Sequence, residues 1–298
     1  ASGLHPRVVE PLREAGVPAL QGARATLLAV RRLIDYAAFK PNDAAEYTNY
    51  MEGSTSQGVA PIAKWQERFA RGKALTEREA KVFLAEHGIP VTRERLAGDV
   101  DEAVESAREI GYPVALKIES ADVPHKTEAG GVRLNVQSEG ALRQAFASLI
   151  ASVKRFAPKA SIAGVLIQEM IIGGVETLVG LSHQAPFGSA IVVGSGGVLV
   201  ELVRDSALAL VPVNETRANG LIASTRLATL LGGFRGAAPA DLDALVRLVA
   251  QVSDLAKTYV NAIDSLDLNP VAVLPRGQGV RVLDALLVPR IASSADHQ

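Results

Sequence analysis

The stretch Asp122-Val123-Pro124-His125-Lys126-Thr127-Glu128-Ala129-Gly130-Gly131-Val132 places a His, a Lys and two adjacent glycines within seven residues. Glycines let backbone amides approach an anion, and a lysine adds positive charge. A neutral imidazole is a competent phosphoryl acceptor near pH 7. The same composition also serves a polar connection between strands whose glycines set turn geometry, and composition leaves the two readings level. Lys117 closes a short apolar strand at 113–118. A cation there needs a partner or a path to water, so it either aims at a phosphate or snorkels from a sheet edge.

Oxygen ligands form a second group. In Asp267-Leu268-Asn269-Pro270, at a strand end, residues i and i+2 share one face, so Asp267 and Asn269 point the same way. Asp284 interrupts the apolar run 280–288, where a carboxylate needs a partner. On neighbouring antiparallel strands, Asn269 and Asp284 make an oxygen-rich site that suits Mg²⁺. The plainer reading is an Asn-Pro turn and an ion-paired Asp. Gln168-Glu169-Met170 followed by Glu176 reads as a hinge gripping a base and ribose, or as an ordinary strand end. Gly194-Ser195-Gly196-Gly197 follows a hydrophobic strand, but no Lys-Ser/Thr pair follows it, so the Walker pattern is absent and a glycine-rich hairpin is the plainer reading. Glu201, Arg204 and Asp205 hold metal or substrate, or form a charged edge. His87 suits a helix C-terminus, His183 lies in a loop, and His5 and His297 are near the ends; all four read as structural or solvated. No Gly-x-Ser-x-Gly elbow supports serine hydrolysis.

Composition narrows the classes. The 298 residues suit two or three domains. Lys plus Arg number 31 against 32 Asp plus Glu, and the net charge of −1 argues against nucleic-acid binding. Hydrophobic residues are 48% of the chain, enough for a core, and aromatics only 4%, so that core is aliphatic. The absence of Cys excludes disulfides, thiolate metal sites and Cys nucleophiles. No apolar run approaches the ~20 residues that span a bilayer. No secretory leader is visible, so a cytoplasmic globular protein without membrane attachment is expected.

The elements that must position these groups follow from periodicity. Residues 1–40 read as the closing βα piece of an α/β unit, and 41–73 as a linker, partly helical around 65–70. Thr76 with Glu79 is a capping box opening a helix that stops at Gly88. Asp99 caps a second helix. Strands are expected at 113–118, 130–136, 163–168, 176–182, 189–193, 207–211, 262–268 and 280–288, with helices at 139–156 and 239–259. Consecutive strands in the middle argue for α/β content in α+β lobes, not a doubly wound sheet.

The order of the segments 76–81, Gly88-Ile89-Pro90-Val91, 111–117, 125–132, 168–170, Gly232-Gly233-Phe234-Arg235-Gly236 and 267–270 resembles the ATP-grasp half of ADP-forming acyl-CoA synthetases, relatives of succinyl-CoA synthetase. The resemblance covers about 74–290, with a small lobe at roughly 94–172 and a tail at 291–298. It makes residues 1–40 the end of a flavodoxin-like CoA-ligase domain. It implies an ATP-grasp fold, two lobes clasping ATP or ADP with Mg²⁺. It places Lys117 on ATP phosphate, with Lys126, Gly130 and Gly131 in the adjoining loop, Gln168, Glu169, Met170 and Glu176 at adenine and ribose, and Asn269, Asp284 and Asp267 at the metal. His125 matches the phosphoryl-accepting histidine. The family reaction turns acid, CoA and ATP into acyl-CoA, ADP and phosphate. A CoA-binding domain or subunit is the implied partner, a small carboxylic acid the substrate, and a homo-oligomer is compatible. Ala185 and Ser265 depart from the family's usual acidic residues. The competing readings are a non-catalytic sensing module, as in fused acetyltransferases, and a carboxylate–amine ligase; the histidine loop argues against the latter.

Overall fold

The computed structural model describes residues 62–120, 122–123, 126–184, 187–197, 205–260 and 262–290, with isolated helical positions at Leu27, Val30, Arg31 and Ile34. His125, Ala185, Glu201, Arg204, His5, His297, the tail and nearly all of the expected 1–40 unit lie outside the described residues. The chain divides into two units, Ala1–Ser56 and Gln57–Gln298, and every element below belongs to the second.

Helix α1 (Ile62–Ala70) buries Trp65 and Phe69. The segment expected as linker therefore contributes core from Ile62 onward. Helix α2 (Glu77–Glu86) starts where the capping box places it: Thr76 Oγ1 accepts from the Glu79 amide at 3.2 Å, and the Glu79 carboxylate accepts from the Thr76 amide at 2.9 Å. Its buried Phe83 stacks edge-on with Trp65, Phe69 and Tyr259. His87, at its end, sits 2.7 Å from the Phe83 carbonyl and 2.7 Å from the Tyr259 hydroxyl.

The first sheet is antiparallel, in order β1-β4-β2-β3, from β1 (Glu94–Ala97), β2 (Val114–Glu119), β3 (Val132–Val136) and β4 (Gly164–Glu169). Helices α3 (Val100–Ile110) and α4 (Glu139–Phe156), capped by Asp99 and Ser138, cover one face. There Val104, Ala107, Leu116, Ile118, Leu149, Val165 and Ile167 form a closed aliphatic core.

The second sheet, in order β10-β8-β5-β6-β7, contains β5 (Val175–Gln184), β6 (Gly188–Ser195), β7 (Ser206–Leu210), β8 (Ile263–Val273) and β10 (Ala285–Pro289), with β9 (Val280–Val282) also paired to β8. Helices α5 (Glu215–Ala223) and α6 (Leu227–Leu231), unforeseen in the sequence, and the long α7 (Leu242–Thr258) complete this half. α7 buries ten of its 17 residues, including Leu245, Leu248, Val249 and Val252.

Two strands differ from expectation for one reason. β8 does not stop at Leu268; it runs through Pro270 to Val273. The expected strand 280–288 is instead two strands, with Leu283 and Asp284 between them. The register is continuous, Val282 opposite Val271 and Ala285 opposite Leu268, so Leu283 and Asp284 fall opposite Pro270 and Asn269. Leu283 donates to the Pro270 carbonyl at 3.0 Å, but proline has no N–H to return the bond, and the ladder lapses there. His183, expected in a loop, lies on β5 with Arg290 Nη1 2.8 Å from its Nε2.

Candidate functional site

Period-two alternation assembles the site. On β2, Val114, Leu116 and Ile118 face the helices, so Ala115, Lys117 and Glu119 face the other way. The register pairs Lys117 with Leu166, Ala115 with Gln168, and Gln168 with Glu94. Glu94, Gln168, Lys117 and Glu119 thus share the face left free of helices. Lys117 does not end its strand, as the apolar run implied, but lies within β2, between β4 and β3.

The first turn of α2 meets this face. Glu77 Oε1 accepts from Lys117 at 2.6 Å and from Lys81 at 3.0 Å, and its Oε2 accepts from Lys126 at 3.0 Å. Lys126 also lies 3.7 Å from Glu119. Lys81 donates further to Glu94 (2.9 Å) and Thr92 (3.2 Å) and lies 3.4 Å from the Gln168 amide oxygen. Burial alone would raise the Glu77 carboxyl, but Lys117, Lys81 and Lys126 outweigh it and hold the group far below the usual carboxylate range. Burial raises Glu94 despite Lys81, and Glu94 Oε1 has no partner among the described residues. Lys126 is raised: burial disfavours its charge, but Glu77 and Glu119 overcome that.

The second sheet faces this cluster at the break in its edge. Lys117 lies 3.4 Å and the Gln168 amide 3.3 Å from the Leu283 carbonyl. Next to it stands Asp284, opposite Asn269 by register and near Asp267 on the same strand face. Burial raises the Asp284 carboxyl, with Glu77 adding to the shift against the lysines. Asp267 is raised by burial and then by Asp284. Among the described residues, no group of three or more His, Cys, Asp or Glu is arranged to hold a metal. What this edge offers is a half-buried carboxylate, Asp284, and an exposed one, Asp267, beside an amide. That set fits Mg²⁺, which takes one or two carboxylates and keeps water or phosphate in its other positions.

The other candidates have local partners. The amides of Gly130 and Gly131 donate to Thr127 and Lys126 carbonyls at 3.0 and 2.7 Å, closing their own loop. A Cβ on Gly131 would lie 2.7 Å from Ile118 Cγ2, so this position also needs a missing side chain to let the loop lie on β2. The Glu169 carboxylate takes Arg93, from its amide at 2.9 Å and its Nε at 2.8 Å, while Met170 begins the chain's exit from β4. Glu176 sits on β5 beside the turn after β6, its carbonyl accepting from Gly196 at 2.9 Å. Gly197 donates to Asn269 Oδ1 at 3.1 Å, and a Cβ there would run into Glu176 Oε2, so the glycine run packs the turn onto β5 and steadies Asn269. Asp205 Oδ2 accepts from the Leu227 amide at 3.1 Å and so caps α6.

Sequence reasoning passed over Glu77, Lys81 and Glu94. The signal was present: Glu77 and Lys81 are four apart on one helix, and Lys81 adjoins the buried stripe Ala80, Phe83 and Leu84.

Residues 67–288 match the ATP-grasp domain family. The chain is 38% identical over 224 residues to the beta subunit of an ADP-forming acetate–CoA ligase II of Pyrococcus furiosus, a match covering 75% of this chain and 95% of that subunit. It is 34% identical over 264 residues to the ADP-forming 4-hydroxybutyrate–CoA ligase of Nitrosopumilus maritimus, covering 89% of this chain but 37% of that longer protein. It superimposes with a TM-score of 0.71 and 40% identity on an acetyl-coenzyme A synthetase of Ca. Korarchaeum cryptofilum solved with coenzyme A and Ca-AMPCP, over 76% of this chain and 99% of that one. Another structure of that synthetase, with Mg-AMPPCP, has its phosphohistidine segment pointing towards the nucleotide binding site (TM-score 0.65, 37% identity, 77% and 98% covered). With its paired sheets, its lysine cluster and these relatives, the chain belongs to the ATP-grasp family, as the ATP-grasp half of the ADP-forming acyl-CoA ligases.

Proposed function

We propose that the cleft between the two sheets binds Mg²⁺–ATP or –ADP and exchanges its terminal phosphoryl group with His125, within a ligase that converts a small carboxylic acid, CoA and ATP to acyl-CoA, ADP and phosphate. The observation that carries this reading is the approach of Lys117, from the first sheet, to the Leu283 carbonyl beside Asp284 in the second. Cations and metal-type oxygens that are distant in the sequence thereby face one space.

Phosphoryl transfer demands positioning and neutralisation of charge more than covalent help. Lys117 and Lys126 supply fixed positive charge for the phosphates. Asp284, Asn269 and Asp267 would hold the metal, which when bound screens the β- and γ-oxygens. His125 directly precedes Lys126, whose ammonium is held in the lysine cluster by Glu77. The lone pair of the His125 imidazole attacks the γ-phosphorus, a P–N bond forms, and the P–O bond to ADP breaks; the reverse step returns the group to ADP. The backbone where the chain leaves β4 at Glu169–Met170, together with Glu176, is assigned to base and ribose. The CoA site and the acyl pocket are assigned to a CoA-binding domain or partner subunit.

Incubation with γ-labelled ATP and Mg²⁺, with the CoA-binding part of a relative added, tests this. Acid-labile, base-stable label on the wild type and none on His125→Asn is the expected result. Equal labelling of both proteins removes His125 from the role.

A further inference from the structure

We infer that Glu77 is a positioning residue for the nucleotide's phosphates: one carboxylate, delivered by α2, holds Lys117 and Lys126 side by side as a preformed cationic pair. This rests on the reading of the cleft as a nucleotide site and adds to it a residue that touches no ligand.

Counting hydrogens separates the three lysines. Lys81 has three, and Glu77, Glu94 and Thr92 take all of them within 3.2 Å; its side chain is 1% exposed. It is a brace and has nothing left for a ligand. Lys117 gives one hydrogen to Glu77 and has at most a long contact, 3.4 Å, to the Leu283 carbonyl. Lys126 gives one to Glu77. Each of these two keeps a donor, and their side chains are 13% and 18% exposed, enough to reach an anion entering the cleft. A phosphate can therefore bind both while Glu77 stays in place.

Two ammonium groups do not stay adjacent without a counter-charge. The Glu77 carboxylate supplies it, one oxygen to each lysine, and so bears the repulsion before the nucleotide arrives. Glu77 is itself fixed from behind by Lys81, which Glu94 and Thr92 hold. It also joins the two halves, because Lys117 and Lys126 belong to the first sheet and its following loop, whereas the buried side of α2 packs in the core of the second.

The charged groups facing the cluster are Lys81, Lys117 and Lys126 against Glu77, Glu94, Glu119 and Asp284. Without Glu77, Lys81 retains Glu94, and Lys126 retains Glu119 at 3.7 Å. Lys117 keeps no carboxylate within ion-pair distance among the described residues and faces two other ammonium groups uncompensated.

The test is titration of the full chain with Mg²⁺–ADP at pH 7, for wild type, Glu77→Gln and Glu77→Asp, with circular dichroism to verify folding. Glu77→Gln, which removes the counter-charge, should bind about tenfold more weakly. Glu77→Asp keeps the charge but is one methylene shorter; it should restore affinity to within a few fold of the wild type, and it decides the matter if Glu77→Gln does not fold. A folded Glu77→Gln that binds like the wild type overturns the role of Glu77. A wild type that binds no Mg²⁺–ADP overturns the nucleotide reading beneath it.

Discussion

Lys117 and Lys81 contact the same carboxylate oxygen, and their different surroundings predict different mutant behaviour. Lys117 has a spare donor and a route to the cleft, so Lys117→Met should raise the dissociation constant for Mg²⁺–ADP by about 10- to 100-fold. That corresponds to the ~1.5–3 kcal/mol of a hydrogen bond to a charged group. Isothermal titration checks it, and an unchanged constant removes Lys117 from the phosphate site. Lys81 is saturated and buried, and Glu94 and Glu77 depend on it. Removing its charge leaves the Glu94 carboxylate without an ion pair in a dry place, a cost to folding rather than to binding alone. The types of these residues were readable from the chain. Their division into brace and ligand depends on which hydrogens are already taken, and no spacing reveals that.

Among the elements, α7 shows how one side chain can fasten a helix to a sheet. Asp241 caps it, accepting from the Ala244 amide at 3.2 Å, and also accepts from Gly277 and Gly279 at 2.9 Å each, across the turn that joins β8 to β9. Burial opposes the charge, but these backbone donors prevail and the carboxyl lies below the ordinary aspartate value. Asp241→Ala should destabilise the fold by about 1–2 kcal/mol at pH 7, read as a lower urea midpoint. A depressed folded value stabilises above the unfolded value, about pH 4, and that contribution fades as the pH falls through the folded one. The gap between wild type and variant should therefore narrow below about pH 4; a gap constant down to pH 2 contradicts the ionised cap. The N-caps and aliphatic runs made most helices and strands legible. The two short helices α5 and α6 were not, because Gly220 lies within one and only five residues form the other. Pro270 misled in the opposite direction: a residue that usually ends strands sits inside β8, at the point where the edge partner breaks.

At the scale of the whole molecule, the two sheets meet where Lys117 of the first reaches the Leu283 carbonyl, beside Asp284, of the second. A ligand bridging them should stabilise the folded chain by linkage, about 2.7 kcal/mol at a concentration a hundredfold above its dissociation constant. For a unit of this size that is a rise in Tm of roughly 5–10 °C with Mg²⁺–ADP. Asp284→Asn should lose the Mg²⁺-dependent part of that rise in differential scanning fluorimetry, and an undiminished rise takes Asp284 out of the metal set. Among the described residues no helix is long and apolar enough to cross a membrane. Residue order alone pointed to the fold class, through the order of segments that resembles the ATP-grasp half, and to most strands and capped helices, because alternation and capping are local and leave a trace in the chain. Only the folded chain decided that Glu77 sits among three lysines, that Glu169 is held by Arg93, and that Asp284 lies in a break opposite Asn269. Those are long-range pairings between elements, set by sheet register and by where a helix end meets a sheet face, and they leave no periodicity to read.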